Sequence, residues 1–492
     1  MTIPKVNDPN AVAIMTKRFA ELEEKRRLCK DLMGGTDAMI KAGKKWINQH
    51  PAETDTDYEL RLKENILSNF MRQAVDKATG KIFGKPMKIV ESTPKEIVDF
   101  CMNVDRAGRG LDAFVYDRAS KAFERGISYI LIDMPKKDPT VLTVADEKDK
   151  NVKPYMVSID THQLLEAVSE MINGVQTLTR VRILESVSVP ESEWSNKDID
   201  QIRVFKRLRS VDKNGKETVL VVYEIYREDA AKKWSLYDSG ATTFDRITLI
   251  AIYTNRVGFM EGEPVFQATA EFNLEHWRSK SEQLHALTFG RFAMLGGSGV
   301  SSVDQDKVEV GPSKMLFATD PQGKFYYVES DGVGLEHGWK HLQSVENAIS
   351  TASAQLRIEE KGQVTATAAA IDSDETNASL KTVAHAMEES IGVALQIVAD
   401  LLGVKGVCKV ELNTNFGTRK GTDTGMQETG KMATGRILSG KSQLKNMIWR
   451  GELPPDFDLE ANATELAAEP NLTEPTKDQI DIAMRRKKQA TE

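Results

Sequence analysis

Two amphipathic helical stretches separated by a short β-rich segment constrain this chain more than any other feature. Leu274, Trp277, Leu284 and Leu287 fall at heptad-like spacing, with Ser281 at the remaining seam position. Leu335, Trp339, Leu342, Val345, Ile349, Ala352 and Leu356 recur every three or four residues. Both spacings predict helices with one apolar face. Gly296-Gly297-Ser298-Gly299 breaks the first pattern, and a β segment from Val308 to Val328 follows, with Gly311-Pro312 and a turn at Pro321-Gln-Gly323. The expectation is a hairpin-like projection of two helices around a small β lobe. The plainer alternative is an antiparallel helix pair buried in the main core.

The flanking sequence supplies the body. Residues 8–33 read as a charged helix, and 56–83 as one longer helix carrying Tyr58, Leu62, Ile66, Phe70, Val75 and Ile82. A third apolar stripe runs from Leu111 through Phe114, Ala119 and Phe123 to a stop at Gly126. An alternating strand, Ser128 to Met134, follows and ends at Pro135. From 136 to 270 the period shortens to two. Leu178–Leu184, Ile202–Leu208, Thr218–Tyr226 and Ile247–Tyr253 read as strands, with Asp212-Lys-Asn-Gly215 as a hairpin turn. Early helices and a later antiparallel-rich region make an α+β chain rather than an alternating βαβ one. After Leu356 comes a polar loop, Glu359 to Thr367. A helix bearing Leu380, Val383, Met387, Ile391, Leu395 and Val398 then runs to a cap at Gly403. A strand at Val407–Leu412 precedes a helical C-terminal region from about 419 and a polar tail with Arg485-Arg-Lys-Lys488.

Composition narrows the function classes. The chain has 492 residues, 66 Lys and Arg against 73 Asp and Glu, and a net charge of −7, enough length for large cores and about three domains. The longest apolar run is about seven residues against the roughly 20 of a membrane span. Met1 to Phe19 shows no apolar signal-peptide core. Neither a membrane nor a secreted protein is expected. Cys29, Cys101 and Cys408 stand far apart, so they predict buried thiols in a reducing cytoplasm, not disulfides or a metal site. His337 and His341 have the i, i+4 spacing of a metal pair but lack a third ligand, and no metal or other cofactor is expected.

One motif looks enzymatic. Gly435-Arg-Ile-Leu-Ser-Gly440-Lys441-Ser442 satisfies the phosphate-loop pattern letter by letter. A working loop is delivered by a buried strand, whereas Asp423 to Lys431 is polar and broken by glycine. Only 50 residues follow Ser442, too few for a nucleotide-binding sheet. A helix-turn-helix capped by Ser439, with Leu444, Met447 and Ile448 on its apolar face, accounts for the segment. Asp456, Asp458 and Glu460 read as a solvent-facing linker. No GxSxG, no strand-borne GxGxxG and no carboxylate cluster of a two-metal nuclease occurs, so no enzyme is expected.

Taken in order, a set of short segments resembles the portal proteins of tailed bacteriophages, over most of the chain. They are Tyr58-Glu-Leu-Arg-Leu62, Gly80-Lys-Ile-Phe-Gly-Lys-Pro86, Asn103-Val-Asp105 with Gly108, and Gly126 through Pro135. Glu271-Phe-Asn-Leu-Glu-His-Trp277 with Ser279 and Ser281, then Tyr327-Val-Glu329 and Gly332, continue the series. Thr365-Ala-Thr367, Leu380 to Gly403, Ile437-Leu-Ser-Gly440 and Arg450 through Asp458 complete it. The chain departs from such relatives at Thr365–Thr367, where an acidic residue is common.

The resemblance implies a portal-protein fold with an α/β wing, a two-helix stem, a small β-containing clip and a helical crown. The wing would take 1–270 and 373–418, the stem 271–295 and 335–358, the clip 296–334, the tunnel loop 359–372 and the crown and tail 419–492. It implies a homo-oligomeric ring, usually of twelve, at one capsid vertex of the virion, assembled in the host cytoplasm. Terminase large subunit, head-tail adaptor or tail proteins, and major capsid or scaffolding protein would dock on it. Double-stranded DNA would pass without sequence reading, inward during packaging and outward at ejection. Lys361, Gln363, Val364 and Thr365 would face DNA. Trp277, Leu284, Leu287, Trp339, Val345 and Ile349 would pack the stem within and between subunits, and Lys307, Lys314 and Lys324 would lie in the clip. Twelve chains at −7 give −84, a sign that suits a conduit rather than a DNA clamp. The alternatives are a terminase-type ATPase resting on Lys441, and a smaller head-completion adaptor.

Overall fold

The computed structural model describes residues 9–51, 53–135, 153–211, 217–229, 232–242, 244–291, 294–298, 320, 322–328, 333–354, 366–414, 416, 440–450 and 457–468. The chain divides into two compact units, Met1–Phe416 and Gly417–Glu492. The helices of the first are α1 (Lys17–Met33), α2 (Gly35–Ala42), α3 (Asp55–Glu64), α4 (Phe70–Ile82), α5 (Lys95–Phe100), α6 (Leu111–Arg125), α7 (Gln267–Arg291), α8 (Val333–Ala354) and α9 (Ala366–Leu402). Its strands are β1 (Lys88–Ile89), β2 (Ile127–Asp133), β3 (Tyr155–Ile159), β4 (Leu164–Ile172), β5 (Val175–Pro190), β6 (Asn196–Val211), β7 (Glu217–Glu228), β8 (Trp234–Ala241), β9 (Leu249–Tyr253), β10 (Arg256–Gly258), β11 (Glu261–Gly262), β12 (Met294–Ser298), β13 (Lys324–Val328) and β14 (Val410–Glu411). Every pairing described is antiparallel, and the class is α+β.

Strand β2 is the pivot of the first unit. It sits between β3 and β9 in a three-stranded sheet and is buried from Ile127 to Ile132. Its alternation sends Ile130 and Ile132 into a helical core with Val75, Phe114, Phe123, Trp277, Leu380 and Leu395. Ile127, Tyr129 and Leu131 point the other way, onto Val181, Ile183, Phe205 and Val221 of the second sheet. That sheet is a meander in the order β4-β5-β6-β7-β8. Gly126 ends α6 at φ 83, and a Cβ there would overlap the Glu263 backbone, so only glycine turns the chain from α6 into β2.

Several expected elements change. The helix predicted over 56–83 is two helices, because Asn65 and Asn69 find better partners outside a helix. Asn69 accepts from Arg72 N at 2.9 Å as an N-cap, and its amide donates to Leu32 O at 2.7 Å. Ile66, counted as core from its spacing, is 65% exposed. The helix predicted from residue 8 begins at Lys17, since Val12, Ala13 and Met15 instead cover the face of the second sheet formed by Leu165, Ile202 and Val204. The stretch read as a loop, 359–372, is helical from Ala366; the residues before it, 355–365, lie outside the described set. In the second unit α10 (Gly440–Arg450) and α11 (Leu459–Ala468) are described. Asp458 caps α11, accepting from Glu460 N at 2.8 Å and Ala461 N at 3.0 Å, so Glu460 belongs to a helix and not to a linker.

Candidate functional site

The antiparallel pair of α7 and α8, with the β12–β13 ribbon at its end, is the feature that the body holds out most deliberately. Its base is fixed by polar clamps rather than by apolar packing alone. Trp277 is fully buried; its indole Nε1 donates to Asn65 O at 3.1 Å, and the Asn65 amide donates back to Trp277 O at 2.9 Å. One turn away, Asn273 accepts from Met71 N at 3.0 Å and donates to Ser68 O at 2.9 Å. Lys280 Nζ donates to Ile66 O at 3.0 Å. These bonds satisfy the backbone groups that the break between α3 and α4 leaves open. Ser281, the polar member of the seam, is buried because Arg61 reaches it, donating from NH1 to Oγ at 3.4 Å. Arg61 also makes a bidentate pair with Glu53, both bonds at 2.7 Å. The guanidinium holds the Glu53 carboxyl at about 2, well below its ordinary range.

Between the two helices, His276 Nε2 lies 3.1 Å from Glu346 Oε1, with the ring edge-on to Phe70. Burial pushes the imidazole pKa down, which favours the neutral ring. Gln283 donates to Leu335 O at 2.8 Å, and Gly338 makes room for it, since a Cβ there would overlap the Gln283 amide. Leu342, Val345 and Ile349 are buried. Trp339 is 52% exposed and Leu284 is 37% exposed. The register set by His276 with Glu346 and Ser279 with His341 brings these two to the same level along the pair. Leu287 is half-buried. Within a single chain the expected stem set therefore divides. Trp277, Val345 and Ile349 lie inside, whereas Trp339 and Leu284 face out, because Trp339 is one position off the α8 stripe that meets α7.

At the end of the pair, β12 and β13 form a two-stranded sheet. Helix α7 stops at Arg291, earlier than residue 295, and the glycines expected to break the chain are paired strand residues, Gly296 opposite Tyr326 and Gly297 opposite Phe325. The aromatic strand recruits them into a ladder. Lys324 is exposed at the start of β13. Lys307 and Lys314, and Lys361, Gln363, Val364 and Thr365, lie outside the described residues.

The remaining chemical candidates are occupied. Lys441 opens α10 and its Nζ lies 3.7 Å from Glu460 Oε1 of α11. His341 meets Ser279 Oγ at 3.2 Å and Glu275 Oε1 at 3.6 Å. Cys29, Cys101 and Cys408 are buried free thiols; burial pushes the first two up to about 12. Among the described residues no group of three His, Cys, Asp or Glu could hold a metal ion, and no helix is long and apolar enough to cross a membrane.

Residues 266–402, from the start of α7 to the end of α9, match the model of a family described as a domain of unknown function, DUF4055. No curated protein matches the chain. Among solved structures, the chain is similar to a chain from the neck of a native GTA particle computed with C12 symmetry. That match has a TM-score of 0.39 at 10% identity and covers 78% of this chain and 89% of that one. A chain of the virion of a native gene transfer agent particle gives a TM-score of 0.39 at 11% identity, over 84% of this chain and 98% of that one. A chain from the neck of an empty GTA particle, computed with C6 symmetry, gives 0.39 at 10% identity over the same shares.

Proposed function

We propose that this chain is a portal protein, a subunit of a ring at one capsid vertex through which DNA is packaged and later ejected. The observation that carries the reading is the α7–α8 projection. Its base is clamped by buried polar pairs, while Trp339 and Leu284 stand exposed along its length. A rigid helix pair that presents large apolar side chains to solvent is a surface awaiting a partner. The ordered segment resemblance names that partner as neighbouring copies, in a ring of twelve.

The same reading assigns the β12–β13 tip to contacts between neighbours and to terminase or adaptor docking. It assigns Lys361, Gln363, Val364 and Thr365 to the bore, and capsid or scaffolding protein to the outer body. DNA slides past a ring of net charge −84 without base recognition. The reading gives the chain no chemistry of its own; it is supported by Lys441, the lysine of the phosphate-loop match, standing in the first turn of α10 with its Nζ 3.7 Å from Glu460 Oε1.

Native mass spectrometry of the purified full chain tests this. Twelve 54.8 kDa subunits give about 658 kDa in a closed cyclic assembly. A monomer or dimer at all concentrations overturns the ring, and ATP hydrolysis by the wild type that Lys441→Ala abolishes overturns the non-enzymatic reading.

A further inference from the structure

Helix α7 is clamped to the body, and α8 is joined to α7. The bonds from Asn65, Ile66, Ser68 and Met71 all fall on α7. α8 meets α7 through Leu342, Val345 and Ile349, and through the polar contacts of Leu335 O with Gln283, His341 with Ser279, and Glu346 with His276. Of the two histidines bonded across the pair, His276 is 3% exposed, whereas His341 lies at the surface.

The two nitrogens of His276 are unequal. Nε2 lies 3.1 Å from Glu346 Oε1, and as the protonated nitrogen of a neutral ring it donates there. Nδ1 is buried with no hydrogen-bond partner. From α4 the ring meets the uncharged Phe70, at 5.2 Å between centroids, which brings no hydrogen-bond acceptor. A second proton on the ring goes to Nδ1, where it becomes a buried donor with nothing to receive it.

Charged groups act on the ring from both helices. Burial is the largest influence and disfavours the imidazolium; Glu346 of α8 favours it, and Lys280, one turn along α7, disfavours it. The carboxylate alone does not offset the cost of burying the charge, so the pKa of the closed pair falls below its ordinary value.

We infer that His276 is an acid-sensitive latch between α7 and α8: the proton added at Nδ1 is solvated only when α8 moves off and water enters. α8 is the helix that yields, because the body holds α7 through its own clamps. Trp339 stands two turns from Glu346 on α8, so the latch also governs the face that Trp339 presents. The inference concerns the helix pair of one chain and requires no second copy.

Once opening frees it, the histidine titrates near 6.5, and in the closed pair it titrates lower. Closure is therefore fully favoured above 6.5 and weakens as pH falls below it. Hydrogen–deuterium exchange of the purified full chain, corrected for intrinsic exchange rates, tests this. From pH 7.5 to 5.5 the opening constant of amides in 342–353 should rise several-fold, and at most about tenfold. His276→Gln keeps a donor for Glu346 but does not titrate, and should flatten the rise; His341→Gln should leave it in place. Glu346→Gln alters a side chain that is 50% exposed, so it keeps the test available if His276→Gln fails to fold. It removes the group that favours the proton, and should carry the rise to lower pH. A flat wild-type response, a rise that survives His276→Gln, one that His341→Gln abolishes, or one that Glu346→Gln leaves unshifted overturns the latch and leaves the ring reading standing. A chain that never assembles overturns the ring reading and leaves the latch.

Discussion

Replacing Trp339 with alanine separates the folding of one chain from the assembly of many. Truncating a fully buried tryptophan costs about 3–5 kcal/mol. Trp339 is 52% exposed, so its own chain loses at most about half of that, about 1.5–2.5 kcal/mol. If a neighbouring copy covers the exposed half, a similar amount is lost from each contact, which weakens it about ten- to seventyfold. Leu342→Ala is the control, because Leu342 is buried within the chain and its truncation costs the fold about 2–5 kcal/mol without touching a neighbour. Mass photometry over a dilution series reads assembly, and thermal unfolding of the dissociated chain reads the fold. Trp339→Ala should shift the assembly concentration strongly and the melting temperature modestly, and Leu342→Ala should reverse that order of effects on the dissociated chain. An unchanged assembly concentration for Trp339→Ala refutes the assignment of this face to a subunit contact.

Gly126→Ala should lower the melting temperature far more than Gly174→Ala. Both positions have left-handed backbones, worth about 1–2 kcal/mol against alanine, but only at Gly126 does the added Cβ meet the Glu263 backbone; equal melting temperatures would contradict this. The Glu53–Arg61 pair should make stability fall in acid. The folded carboxyl titrates at about 2 against 4.5 unperturbed, so its contribution is complete above 4.5 and is lost as pH falls toward 2. Glu53→Gln should flatten that part of a denaturation-versus-pH curve, and an unchanged slope would remove the pair from the account. Lys361→Glu with Gln363→Ala should leave rings intact yet reduce DNA per filled head, measured by nucleic acid content; normal filling and retention would detach the loop from the DNA path.

The elements that sequence pattern located well are those whose periodicity coincides with burial on a wide front. Leu111–Arg125 with its glycine stop is one, and the strand after it is another. Apolar spacing misled where a polar side chain had a better use elsewhere. Asn65 and Asn69 end one helix and begin the next, and the regular spacing of Ile66 concealed the break. Asn173-Gly174, an Asn-Gly step between two alternating runs, is a hairpin signal that the strand periodicity alone does not use. Its φ values of 51 and 79 are those of the hairpin turn joining β4 and β5. The stem residues show a further limit. Trp277 and Trp339 carry equal weight in a heptad reading, yet one is buried and the other exposed. Adjacent stripes on a helix differ by one residue, and only the docking of α7 against Asn65, Ser68 and Met71 decides which faces inward. Strands β5 and β6 stay paired to Pro190 opposite Asn196, past the ends of β4 and β7, which sequence pattern does not show because strand length follows from partners that it does not identify.

Electron microscopy of the purified full chain tests the central claim most directly. Class averages should show closed rings with an open axis wide enough for duplex DNA, the α7–α8 pairs packed side by side around it with Trp339 covered at each contact. Particles without a central opening, or rings in which Trp339 stays solvent-exposed while another surface makes the contacts, would contradict the account.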